Sequence, residues 1–219
     1  MSFENTALEA RGGRDVVQRF GRWDALTVRQ ETSVTEVVLS WEKKNRYQVH
    51  DPLGRVVLFV REVGAGFGEL FGRMFLGPAR ACRMRVIDAE TSLPVLDLRK
   101  PFRLFLPEIR VAAPDGAPLG RVVRRFTWLH RSYAVEDHQT GERLEIVGPM
   151  WKPWTFSVRQ GGLQVGVIRK RWRGLGTELM TDADDFGVDL SQVASPSMRG
   201  LVFAATMLVD LAHFERSKG

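Results

Sequence analysis

Glu108-Ile109-Arg110-Val111, Pro114-Asp115-Gly116, Gly120-Arg121-Val122-Val123: the fold turns on how this stretch is read. Apolar and polar side chains alternate along both arms, as a strand with one buried face requires. Between the arms stand a proline, an aspartate and a glycine, residues that bend or bond the backbone of a tight turn. The unit recurs downstream. Tyr133-Ala134-Val135 and Leu144-Glu145-Ile146 flank Gln139-Thr140-Gly141, and Phe156-Ser157-Val158 and Val165-Gly166-Val167-Ile168 flank Gly161-Gly162. Ile109 to Tyr133 is 24 positions and Tyr133 to Phe156 is 23, a hairpin period.

Upstream, residues 46–50 and 56–60 flank Asp51-Pro52-Leu53-Gly54, and residues 84–88 pair with 95–98. Residues 26–30 with 36–41, and 178–180 with 186–190, read as two further hairpins. Roughly twelve strands drawn from these segments, joined by short antiparallel connections, make a meander, and one of that length twists until it closes, which removes its edges. The expected fold is mainly β, a closed antiparallel barrel of twelve strands.

The alternation stops after Ser195-Pro196-Ser197, an N-cap followed by a proline suited to a first helical turn. From Leu201 to Phe214 the chain is apolar nearly all round, so a helix there has to be buried on every side. Its 14 residues include Asp210 and His213 and fall short of the about 20 needed to cross a bilayer. Threading the barrel interior fits this helix, expected over about 197–214, better than membrane insertion. The domain is expected to span 25–219, with 1–24 as an N-terminal extension in which residues 15–20 could form a short helix packed on the barrel.

Among 219 residues, 32 Lys and Arg against 26 Asp and Glu leave a formal charge of +6, which favours anionic partners: a phospholipid membrane surface, nucleic acid or an acidic protein. Basic residues cluster at Lys43, Lys44 and Arg46, at Arg121, Arg124 and Arg125, and at Arg169, Lys170, Arg171 and Arg173. With Trp41, Trp128 and Trp172 nearby, these are the candidate lipid-binding residues; the plainer reading is an ordinary solvated strand face with tryptophans in the core. Cys82 is the only cysteine, so no intramolecular disulfide forms, and the opening residues carry no basic-then-apolar leader. Cytoplasmic residence, with peripheral attachment at the inner face of a membrane, is the expectation. His50, His130, His138 and His213 stand apart, no Gly-x-Ser-x-Gly elbow occurs, and Gly64, Gly66 and Gly68 lack the Gly-Lys-Ser/Thr of a phosphate loop, so no enzyme is expected.

An ordered set of short motifs resembles the phospholipid scramblase family of the tubby-like superfamily. It runs from Asn45-Arg46-Tyr47 and the Asp51–Gly54 turn through Gly77-Pro78-Ala79-Arg80, Leu98-Arg99-Lys100-Pro101-Phe102-Arg103 and Ile146-Val147-Gly148-Pro149. It continues through residues 166–174 to 181–188, then Leu208-Val209-Asp210 and Phe214-Glu215. The resemblance implies a twelve-stranded barrel around a C-terminal helix, binding of anionic membrane phospholipid, and promotion of its transbilayer movement. A protein-interaction or nucleic-acid-binding module using the same basic face is the alternative. Calcium is the one cofactor the resemblance implies, through a loop mapping onto Asp182, Asp184 and the residues after them, with Asp185 and Asp189 as further candidate metal ligands. Counted as a helical-hand loop from Asp182, the fifth position is Phe186 and the twelfth Val193, so two oxygen ligands are missing and a strand-entry turn fits better.

Overall fold

The computed structural model describes residues 18–30, 45–63, 81–171 and 185–213. Twelve strands follow one another: β1 (Ala25–Gln30), β2 (Asn45–His50), β3 (Val56–Glu62), β4 (Cys82–Asp88), β5 (Pro94–Lys100), β6 (Glu108–Ala112), β7 (Pro118–Arg125), β8 (His130–Asp137), β9 (Arg143–Pro149), β10 (Thr155–Gln160), β11 (Leu163–Arg171) and β12 (Asp185–Asp189). Each pairs antiparallel with its sequence neighbours, and β1 also pairs with β12, which closes the barrel. The alternation read from the sequence is the wall itself. In β4, Cys82, Met84 and Val86 point into the core while Arg83 and Arg85 point out.

The expected pairings of residues 26–30 with 36–41 and of 178–180 with 186–190 are corrected, the second because β12 is bounded by β1 and β11. A strand has two edges, and both edges of β1 are taken: Thr27–Gln30 pairs with His50–Tyr47 of β2, and Ala25–Arg29 with Asp189–Asp185 of β12. Residues 36–41 and 178–180 lie outside the described residues.

At one end of the barrel the connections are short turns built on aspartate. The Asp51 carboxylate accepts the Leu53 and Arg55 amides, Asp88 those of Glu90 and Thr91, and Asp137 those of Gln139 and Thr140. Each carboxylate thus replaces a turn hydrogen bond that the backbone alone would leave open. Gly116, at φ +93°, takes the left-handed conformation that the β6–β7 turn needs and side chains resist.

Helix α1 (Pro196–His213) threads the lumen. Ser195 caps it, its hydroxyl accepting the Met198 amide at 3.4 Å, and Pro196 occupies the first helical position. Residues 198–211 are all buried. Asp210, polar in an apolar lumen, accepts the Tyr47 hydroxyl, and Thr206 bonds back to the Val202 carbonyl at 3.2 Å. Gly120 on β7 is packed between strand and helix: a Cβ there would lie 2.3 Å from the Glu136 carbonyl oxygen on β8 and 2.9 Å from the Leu201 side chain on α1. No described helix is long and apolar enough to cross a membrane.

The stretch read as an N-terminal extension contributes to this core. A 3-10 turn over Arg19–Arg22 buries Phe20 completely, its ring 5.4 Å from that of Phe203 on α1. Arg199, on the first turn of α1, ties the same segment down. It donates to the carbonyls of Val193 (2.6 Å), Gly21 (3.3 Å) and Trp23 (3.0 Å) and reaches the Asp24 carboxylate at 3.2 Å.

Candidate functional site

The outer wall carries a lattice of charge. Asp97 accepts Arg83 at 2.7 Å and Arg85 at 2.9 Å, Glu108 accepts Arg103 at 2.7 Å and Arg110 at 2.5 Å, and Arg121 meets Glu136 at 2.7 Å. An arginine facing hydrocarbon at mid-bilayer costs about 2–4 kcal/mol, so a wall of this kind faces water. Burial pushes the Asp97 carboxyl up, but hydrogen bonds from Arg85 and Arg83 outweigh it and hold the group below the usual carboxylate range. At Asp88, burial is likewise outweighed, by the Thr91 amide and Arg19; at Glu136 the bond from Arg121 comes first. Groups depressed on folding stabilise the protein above their unfolded pKa, about 4, and stop doing so as pH falls through their folded values. The melting temperature should therefore stay level above about pH 5 and fall below about pH 4. Asp97→Asn should flatten that fall in a pH series of thermal melts, and an unchanged slope would show that Asp97 does not contribute.

The candidate lipid-binding cations part company in the structure. Lys43, Lys44 and Arg173 lie outside the described residues, and the side chains of Arg46 and Arg171 are not described. Arg121 is exposed but held by Glu136. Lys170 is a correction: it is buried, because the parity of β11 turns it inward with Ile168, and its ammonium sits 5.5 Å from the Trp154 ring centroid and 5.6 Å from that of Phe186. Arg124, Arg125 and Arg169 are at least partly exposed and form no ion pair among the described residues. Arg124 and Arg125 end β7; Arg169 is near the same end of β11, four strands away or roughly 19 Å around the wall.

Among the described residues, the candidate metal ligands Asp185 and Asp189 do not converge. Asp182 and Asp184 lie outside the described residues. Asp185 is buried on β12 against Arg29 (3.4 Å), whereas Asp189 caps the following turn through the Ser191 amide and hydroxyl. Four strand residues separate them, about 13 Å, too far to share one ion with ligand distances of about 2.4 Å. Asp185 and Asp189 therefore do not serve one ion together, and the rest of the loop that the resemblance maps onto Asp182 and Asp184 lies outside the described residues.

One feature of the site escaped the sequence reading. The connections β5–β6, β7–β8 and β9–β10 all fall on one rim, since alternate connections of a meander share an end. They expose Phe102, Leu104 and Phe105, then Phe126, Trp128 and Leu129, then Met150 and Trp151. Trp128 and Phe105 are 86% and 84% exposed, so of the three tryptophans expected at a boundary, Trp128 stands clear of the core. The signal was present: a loop reading Phe102-Arg103-Leu104-Phe105-Leu106 lacks the polar turn residues of its counterparts at the other rim.

A sequence profile of the Scramblase family matches residues 10–216. The chain belongs to the scramblase family. Bovine phospholipid scramblase 2 is 28% identical over 210 residues, covering 90% of this chain and 70% of the bovine protein. Human phospholipid scramblase 1 is 27% identical over 206 residues, and human phospholipid scramblase family member 5 is 24% identical over 208. This scramblase-family chain spans 63% of the length of the first human relative and 75% of the second. No solved structure matches it.

Proposed function

We propose that this scramblase-family protein binds anionic phospholipid at a membrane surface and takes part in phospholipid movement there, without catalysing a covalent reaction. The observation that carries the reading is that three candidate cations, Arg124, Arg125 and Arg169, form no ion pair among the described residues, on a chain whose relatives are named phospholipid scramblases. Each such residue near an anionic surface contributes about 1 kcal/mol, so binding is modest, additive and weakened by salt. The lumen offers lipid no path, because α1 fills it with buried side chains from Met198 to Leu211. Lipid is therefore handled at the outer surface.

Flotation with liposomes of graded phosphatidylserine content tests this. Bound protein should rise with anionic lipid, and Arg124→Ala with Arg125→Ala should lower partitioning by roughly thirtyfold, two losses of about 1 kcal/mol each. Equal flotation on neutral vesicles, or loss of the protein to duplex DNA in competition, would reject the reading.

A further inference from the structure

The two ends of the barrel differ in kind. Take each described connection with two flanking strand residues. At the rim of β5–β6, β7–β8 and β9–β10 (residues 99–109, 124–131 and 148–156) there are seven Lys and Arg to one acid, Glu108. At the opposite rim (residues 49–57, 87–95, 111–119, 136–144, 159–164 and 188–195) there are three to eight. Of the twelve large hydrophobic residues that are exposed among the described residues, nine sit on the basic rim, including all five aromatics; Leu53, Leu93 and Leu163 sit on the other.

The apolar rim is held in shape. Arg131, turned inward over the Phe156 ring at 4.5 Å, donates to the Pro153 carbonyl at 2.8 Å, while the Lys152 amide bonds Pro149 and the Thr155 amide bonds Lys152. These bonds brace the loop that presents Met150 and Trp151. Phe126 packs edge-on against Trp128 with centroids 5.4 Å apart. Leu106 takes φ +51°, a conformation that side chains adopt at a cost, in the loop that turns Leu104 and Phe105 outward. Braced aromatics displayed in water, interleaved with cations and with Glu108 the one acid among the described connections of this rim, match the interfacial layer of an anionic bilayer, where rings settle at headgroup depth beside phosphate. A carboxylate-rich opposite rim is repelled from the same surface, so the charge distribution orients the molecule before contact.

We propose that the protein docks end-on: the rim of β5–β6, β7–β8 and β9–β10 faces an anionic phospholipid bilayer, and Phe105, Trp128 and Trp151 enter its interfacial layer. This rests on the lipid-binding reading above and adds to it an orientation and a salt-resistant apolar component.

The test uses the full chain with one introduced cysteine at a time, carrying a polarity-sensitive fluorophore: Leu129→Cys or Met150→Cys on the apolar rim, Leu53→Cys or Leu163→Cys on the other. Vesicles contain phosphatidylserine and phospholipid brominated in the acyl chains. Labels at 129 and 150 should shift to the blue and be quenched; labels at 53 and 163 should do neither. Trp128→Ser with Trp151→Ser should lower partitioning on the order of a hundredfold at high salt, where apolar burial dominates. Binding with quenching at 53 and 163, or at no position, overturns end-on docking and leaves lipid binding standing. Absence of any vesicle binding overturns both, and self-association lost in the Trp128→Ser variant under those conditions would assign the rim to a second copy of the chain.

Discussion

A chain ended after Ser195 should show no cooperative unfolding transition. The deleted helix supplies Leu201, Val202, Phe203, Met207, Leu208, Val209 and Leu211, all fully buried or within 1% of it. Each is worth about 1.5–3 kcal/mol of burial, together on the order of 10–20 kcal/mol, against a total stability of about 5–15 kcal/mol for a domain. The inward side chains of twelve strands would then line an empty lumen. Near-UV circular dichroism and thermal melts read the result. A truncated chain with a native-like aromatic spectrum and a sharp melt would show that the barrel does not need its helix. The same energetics bear on function: the helix cannot leave for a bilayer without unfolding the barrel around it.

Arg199→Met should lower stability by about 3–5 kcal/mol, a drop of roughly 10 °C in melting temperature. The ion pair with Asp24 is a minor part of this, because that carboxylate is 76% exposed and surface pairs contribute little. The loss comes from the carbonyls of Val193, Gly21 and Trp23, which would lose the one side chain that joins helix, preceding loop and N-terminal segment. Arg199→Lys should recover less than half, since an ammonium lacks the planar fork that reaches three carbonyls in different directions. A shift below about 3 °C in Arg199→Met would mean that Phe20 packing, not this clamp, anchors the segment.

End-on docking and a filled lumen constrain how lipid could move. The rim proposed to meet the membrane is the one toward which the C-terminal end of α1 runs, since its N-terminus follows β12 at the acidic rim. The partly exposed or exposed cations Arg124 and Arg125 lie on that rim, so headgroup contact and apolar insertion would act on the same patch of bilayer. On the proposed docking, local disturbance of lipid packing by the inserted loops is the route by which lipid would move.

The hairpin pattern, its turns and the buried helix were legible because each is a short-range property. Alternation over five residues, an aspartate two positions before an amide, and an all-apolar run after a Ser-Pro pair act on the backbone nearby, and the structure uses them as read. The family resemblance was legible for a related reason, since motifs in order along the chain survive without knowledge of their contacts. Other features depended on closure. β1 pairs with β2 and β12 because a barrel consumes both edges of every strand, a condition that no local window contains. Lys170 is buried and Arg169 exposed through strand parity alone, so a run of basic residues on β11 could not be one face. Arg199 reaches the Gly21 carbonyl across 178 positions, and Phe20 packs on Phe203, because the helix enters the lumen beside the N-terminal turn. Among the described residues, strand, turn and core-helix positions follow from the sequence, since those choices are made by neighbours along the chain. Which side chains gather at one rim, and which cations face water, depends on barrel closure, because closure sets the distance between residues remote in sequence.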